Sequence, residues 1–214
     1  MIQRTDTLRD QAYRLIRERI IRQELLFGER LSVAKLSREF GISNSPIREA
    51  ISLLETDGLV ENRPNYGFHV IDFNDETFHD LAQSIHVLLS GCYDEIIRRG
   101  YLDDLTIALE EAFKIQSDNF HRDFDYEYVC IAIDFDRCFV EATKNDMLSN
   151  LFDGLFNLLV LCTLSAYTSG DDGVKENLEE HRAILAAVKN RDHELVKDLL
   201  DSHYDKSDLP LFRI

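Results

Sequence analysis

The chain changes its hydrophobic period twice, and this constrains its fold more than any other feature. Through residue 57, apolar side chains recur at helical spacing. Leu8, Ala12, Leu15, Ile16 and Ile20 mark a first amphipathic segment over about residues 7–26, and Val33, Leu36 and Phe40 mark a second over 32–40. Ile47, Ala50, Ile51 and Leu54 mark a third, which begins near Ser43 to Pro46 and ends at Asp57. Gly41 separates the second from the third and tolerates the left-handed backbone with which a helix often ends. Pro46 suits a first helical turn, whose N–H groups have no partner inside the helix. The period then falls to two. Residues 59–63 and 68–72 read as short strands, split by the hairpin-type turn Pro64-Asn65-Tyr66-Gly67. From Asp75 onward no strand signal returns, and helices are expected near 75–99, 102–118, 124–144, 147–168, 174–190 and 192–204. The fold class is therefore mainly α. A helix-turn-helix with a hairpin wing is expected over residues 1–72, and an all-α bundle of about six helices over 75–214, joined at Asn74-Asp75.

Charge divides at the same place. The chain carries 24 Lys and Arg against 40 Asp and Glu, a net charge of −16. Residues 1–72 hold 11 of each and are neutral, which leaves 13 basic and 29 acidic residues for the remainder. A polyanion is repelled by the second part far more than by the first, so two jobs in two domains are expected. The longest apolar run, 155–166, is broken by Asn157 and Thr163 and is short for a membrane span. The start, Met1-Ile2-Gln3-Arg4, lacks the apolar core of a signal peptide. These features predict a soluble, cytoplasmic protein. Cys92, Cys130, Cys138 and Cys162 form no CxxC pair, so reduced thiols are expected rather than a zinc finger or a redox pair.

The third helical segment opens with Ser43, Asn44, Ser45 and Arg48. Polar side chains at a helix N-terminus can enter a major groove, where Arg suits guanine and Asn suits adenine. The wing turn adds Arg63, Asn65 and Tyr66, next to Gly67, which allows close backbone approach. A small helical domain with a merely solvated polar face would show the same pattern. The residues themselves narrow the choice. The stretch from Leu36 to Ile51 contains Ser43-x-x-Pro46-x-Arg48-Glu49-Ala50, and Leu54-Glu55-x-x-Gly58-Leu59-Val60 follows it. With the wing Asn65-Tyr66-Gly67, this resembles the DNA-binding domain of GntR-type regulators over nearly all of residues 7–72. The resemblance implies binding to double-stranded DNA, with Arg48 the strongest contact carried over. Two positions depart from it: Asn44 and Ala34 stand where such proteins often carry basic residues.

The remainder resembles the effector domain of the FadR-like branch of that family, and its six helices resemble the VanR-like subgroup. Three stretches carry this likeness: Asp136-Arg137-Cys138-Phe139-Val140 with Ala142-Thr143-Lys144-Asn145, then Glu180-His181-Arg182-Ala183-Ile184-Leu185, and finally His203. In metal-binding members an Asp and three His hold a divalent ion that accepts a carboxylate effector. Asp136, His181 and His203 match three of those positions, and the ligand types suit Zn²⁺ or Ni²⁺. Val140 stands at the fourth, one helical turn after Asp136, and cannot ligate. Cys138 does not replace it, because two residues along a helix points to another side. A three-ligand site leaves positions open, as open zinc sites do, and is expected to bind more weakly. Many members also place an effector-binding Arg on the first helix of this domain, where this chain has His86, with Ser90 four residues on. His86 and Val140 are thus the candidate effector-pocket residues. His79, His121 and His193 have no motif around them and are expected at the surface.

The leading expectation is a ligand-responsive regulator, a repressor that acts as a homodimer on a palindromic operator and responds to a small organic acid. Effector binding without a metal, through a polar Asp136–His181–His203 network, stays open beside it. So do a metal-dependent hydrolase on a helical bundle and an architectural DNA-binding protein. Against the hydrolase, the chain has no HExxH, no Gly-x-Ser-x-Gly and no phosphate-cradling glycine loop.

Overall fold

A computed structural model describes residues 6–72, 74–120, 126–166 and 171–204. The chain divides into two compact units, Met1–Phe73 and Asn74–Ile214.

The first unit starts with α1 (Leu8–Ile21). Thr7 opens it with a capping box: its hydroxyl accepts from the Asp10 N–H, and the Asp10 carboxylate accepts from the Thr7 N–H. The helix stops five residues short of the expected position 26. Gln23 takes φ 56°, and the resulting turn buries Leu25 while leaving Leu26 exposed. The buried face of α1 is Ala12, Ile16, Ile20 and Ile21, whereas Leu8 and Leu15 point to solvent. Helix α2 (Val33–Phe40) is capped by Ser32 and ends on Gly41 at φ 67°, which lets the chain turn at once into α3 (Asn44–Thr56). Ile47, Ala50, Ile51 and Leu54 of α3 are fully buried, and α3 packs against α1. Strands β1 (Val60–Arg63) and β2 (Gly67–Val70) pair antiparallel, with Val60 opposite Val70 and Arg63 opposite Gly67. The α1–α2 connection adds a bridge from Arg30 to His69, with Leu31 N donating to Phe68 O at 2.8 Å and Val70 N to Glu29 O at 2.9 Å. No sequence period reveals this third edge, because three residues are too few to show one.

The second unit holds α4 (Asp75–Arg99), α5 (Leu102–Asp118), α6 (Tyr126–Glu141), α7 (Asp146–Ala166), α8 (Asp171–Lys189) and α9 (His193–Tyr204). Positions 124–125 and 167–168, expected at helix ends, lie outside the described residues, as does His121. The pair Asn74-Asp75, expected as the joint before a helix from 75, follows the division between the units and starts α4: Asn74 Oδ1 caps the helix by accepting from Thr77 N at 3.0 Å. Helix α5 packs on α6 and α8, α9 on α8 and α4, and α7 on α6 and α4. Helix α7 corrects the membrane argument. Asp146–Leu164 is long and apolar enough to cross a membrane by length and composition, although the uninterrupted apolar run is short. This is weak evidence for a span, because a core helix passes the same test. Phe152, Val160 and Leu161 of α7 are buried within the unit, and Asp153 pairs with Arg137 of α6.

Candidate nucleic-acid interface and buried metal-binding group

In the first unit, Asn44, Ser45 and Arg48 share the exposed side of the N-terminal half of α3, opposite buried Ile47 and Ala50. Ser43 is the N-cap residue by backbone geometry (ψ 165°), yet its side chain makes no capping hydrogen bond. Ser45 Oγ donates to Glu49 Oε1 at 3.1 Å. The ion pairs sort the eleven cations of a neutral domain. Arg9, Arg14, Arg19 and Arg22 each face a carboxylate, and Arg63 holds Glu61 at 2.6 Å. Among the described residues no ion pair engages Arg48, or Lys35 and Arg38 of α2. Three cations of the helix-turn-helix are therefore left for an outside partner, although Glu49 and Glu55 of α3 are likewise outside the ion pairs of the described residues. At the wing, Asn65 (φ 67°) and Gly67 (φ 83°) make the turn and Tyr66 is 68% exposed at its tip. Arg63 contributes less charge there than its sequence position suggests, because Glu61 neutralises it.

In the second unit, α6, α8 and α9 bring Asp136, His181 and His203 together, with all three buried and their ligand atoms within 4.8 Å of one another. Asp136 Oδ1 is 4.0 Å from Nε2 of His181 and 4.0 Å from Nε2 of His203, beyond hydrogen-bond reach, and it has no hydrogen-bond partner. The outer nitrogens are engaged. His181 Nδ1 lies 2.8 Å from Gln116 Oε1, and His203 Nδ1 lies 2.6 Å from Glu180 Oε2. The Phe135 ring stacks on His181 at 4.2 Å and 10°. Burial pushes the Asp136 carboxyl from 3.8 up to about 6; the neighbouring His203 and Tyr204 side chains oppose the rise, and Glu180 adds to it. An acidic oxygen and two imidazole nitrogens thus converge on one point. Ligand bonds of about 2.0–2.2 Å to zinc require separations near 3.4 Å. To hold such an ion, the two Asp136–histidine separations of 4.0 Å would each close by roughly 0.6 Å. A cavity of about 60 Å³ adjoins it, lined by Phe78, Ala82, Leu159, Asn177 and Tyr204 among others. No Lys or Arg is among its described lining residues.

Comparison with known proteins agrees with both halves. The profile of bacterial regulatory proteins of the gntR family matches residues 8–70, and that of the FCD domain matches residues 80–206. The chain is a GntR-family regulator of the FCD-domain type. The uncharacterised HTH-type transcriptional regulator YdhC of Bacillus subtilis is 27% identical over 195 residues, spanning 91% of this chain and 87% of that protein. The gluconate operon transcriptional repressor of Bacillus licheniformis is 22% identical, over 89% and 79% of the two chains. Among solved structures, Lar, described as controlling the Listeria monocytogenes agr system, shares the fold with a TM-score of 0.66 at 23% identity, covering 94% of this chain and 95% of that one. E. coli McbR/YncC does so with a TM-score of 0.63 at 18% identity, covering 95% and 96%. As a member of a family of transcription regulators, this GntR protein is not an enzyme, and the hydrolase alternative falls.

The other expected pocket residues of this regulator lie elsewhere. His86 is not in the cavity lining: its Nδ1 faces Asp201 Oδ1 at 3.6 Å in an adjoining surface depression that shares Ala82 and Tyr204 with the cavity. Val140 is fully buried in packed core and also outside the lining. His193, expected at the surface, is half-buried and its Nδ1 lies 2.9 Å from the Tyr93 hydroxyl. His79 is exposed. Sequence reasoning missed Gln116, Glu180 and Tyr204. Glu180 and Tyr204 stand beside His181 and His203 in the sequence, Glu180 inside the stretch that carries the resemblance, yet only packing gives them and Gln116 a part in the site.

Proposed function

We propose that this regulator is a cytoplasmic repressor that binds a palindromic operator as a homodimer and responds to a small organic acid through a divalent ion held by Asp136, His181 and His203. One observation carries the effector reading: a buried carboxylate and two imidazoles converge beside a cavity that has no Lys or Arg among its described lining residues. A carboxylate entering that space would meet Asp136 without a compensating cation, and such burial is costly. A bound Zn²⁺ or Ni²⁺ would supply the positive charge and open positions for the acid. Asp136, His181 and His203 would hold the ion, Asn177 and Tyr204 are placed to orient the acid, and Phe78, Ala82 and Leu159 exclude water. On DNA, Arg48 and Asn44 would read bases, while Ser43, Ser45 and the wing residues Arg63, Asn65, Tyr66 and Gly67 would position the backbone.

Melting curves of the full-length protein test the effector reading, with lactate or gluconate added alone, Zn²⁺ added alone, and both together. Zn²⁺ alone should raise the melting temperature, and the acid should add to that rise only when Zn²⁺ is present. Saturation at a hundred times the dissociation constant is worth about 2.7 kcal/mol. Stabilisation by acid in chelated protein would favour the metal-free reading, which the core-packed Val140 at the fourth position supports.

A further inference from the structure

We infer that Glu180 and Gln116 are positioning residues that hold His203 and His181 in the Nδ1–H tautomer, so that both Nε2 lone pairs are turned toward Asp136 before any ion arrives. The inference rests on the reading of Asp136, His181 and His203 as metal ligands and adds to it two residues from outside the ligand set.

The argument starts from what each partner can accept or donate. A carboxylate only accepts hydrogen bonds. Glu180 Oε2 lies 2.6 Å from His203 Nδ1, so the proton of that contact sits on Nδ1. A neutral imidazole carries one N–H, which leaves Nε2 of His203 as a bare lone pair. Gln116 reaches the same end by a longer route. Its amide nitrogen donates to Asn177 Oδ1 at 2.9 Å and to the Tyr128 hydroxyl at 3.3 Å. With the NH₂ so engaged, its carbonyl oxygen faces His181 Nδ1 at 2.8 Å and accepts from it. Both imidazoles therefore present Nε2 toward the same carboxylate oxygen, each at 4.0 Å.

The frame that holds these orientations is rigid. Gln116 is fully buried, Asn177 is 6% exposed, and Phe135 stacks on the His181 ring. A rotamer change at His181 would break a buried hydrogen bond, and one at His203 a part-buried one. The opposite tautomers would aim an N–H into the centre and leave no lone pair for an ion. Glu180 also places negative charge at the Nδ1 side of the His203 ring, which would make that imidazole a stronger ligand through Nε2. The contact spans α8 and α9, and the Gln116 contact spans α5 and α8, so three helices fix the two rings.

Two measurements on the full-length protein decide this. Long-range ¹H–¹⁵N spectra of metal-free protein read the tautomer of each neutral imidazole, and calorimetric titration with Zn²⁺ reads affinity. In the wild type, His181 and His203 should both be Nδ1–H. Glu180→Leu should release that preference at His203 alone and weaken Zn²⁺ binding about 10- to 100-fold. Glu180→Gln keeps an accepting oxygen and should retain the tautomer with most of the affinity. Gln116→Leu should act in the same way on His181. Because Gln116 is fully buried, the partly exposed Glu180 supplies the decisive comparison, with metal-free melting as the check on its fold. Wild-type Zn²⁺ binding that Glu180→Leu leaves unchanged, or an Nε2–H signal from His203 in the wild type, overturns the inference and leaves the metal reading standing. A wild type that binds no Zn²⁺ overturns the metal reading, and the inference with it.

Discussion

Asp136 is a buried acid in the second unit, and burying its charge is costly. Its side chain is almost fully enclosed and its carboxyl is pushed up to about 6 by burial. The folded value lies above the unfolded value of 3.8, so the folded chain holds this proton more tightly than the unfolded chain. Stability in the metal-free protein should then fall as pH rises from 3.8 through about 6. Replacing the carboxylate with an amide removes the charge, and the new NH₂ can donate to a bare Nε2. Asp136→Asn should stabilise chelated protein by about 1–3 kcal/mol at neutral pH. The gain should vanish at pH values below 3.8. The same variant should lose the Zn²⁺-dependent rise in melting temperature. Urea melts across pH with and without Zn²⁺ check this, and a destabilised Asp136→Asn at neutral pH would mean that the buried carboxylate is stabilised by charged histidines instead.

At the scale of elements, the helix-turn-helix concentrates function that its composition hides. Among the described residues, Lys35 and Arg38 of α2 and Arg48 of α3 make no ion pair, while Arg9, Arg14 and Arg19 of α1 and Arg63 of the wing each face a carboxylate. Lys35 and Arg48 should therefore behave differently. Arg48→Ala should cost about 1–3 kcal/mol of operator affinity and relax base preference at one position. Lys35→Ala should weaken binding to all sequences alike and lower the salt slope by about 1. Fluorescence anisotropy with operator and scrambled DNA at several salt concentrations separates the two. An unchanged preference in Arg48→Ala would remove α3 as the reading helix.

At the scale of the whole chain, the second unit has an apolar outer face that its own core does not use. Val87 of α4 and Met147 and Leu151 of α7 are 65%, 69% and 59% exposed. Gly91 and Gly154, in the middle of the same two helices, have nothing within 4 Å of where a Cβ would stand. Mid-helix glycine costs about 1 kcal/mol relative to alanine, so open space there has no reward within one chain. This is the face we expect a second copy to cover. Residues 75–214 alone should sediment as a dimer, and residues 1–72 alone as a monomer with far weaker operator binding. A monomeric 75–214 fragment would rule out dimerisation through this unit.

Sequence alone determined the fold class and the order of elements. Period, glycine and turn chemistry are local properties, so the helix-turn-helix, the wing and six further helices were legible from residues such as Gly41, Pro46 and Gly67. The end of α1 was less so, because Gln23 turns the chain at φ 56° on hydrogen bonds to Ile20 that no hydrophobic period marks. The resemblance also pointed to Asp136, His181 and His203, which lie up to 67 positions apart along the chain. Only packing decided that they meet, that His86 faces Asp201 outside the cavity, and that Val140 belongs to the core. Gln116 and Glu180 lay beyond sequence reasoning for the same reason. A hydrogen-bond partner is chosen by where two helices cross, and the register of that crossing is set by side chains far from either residue.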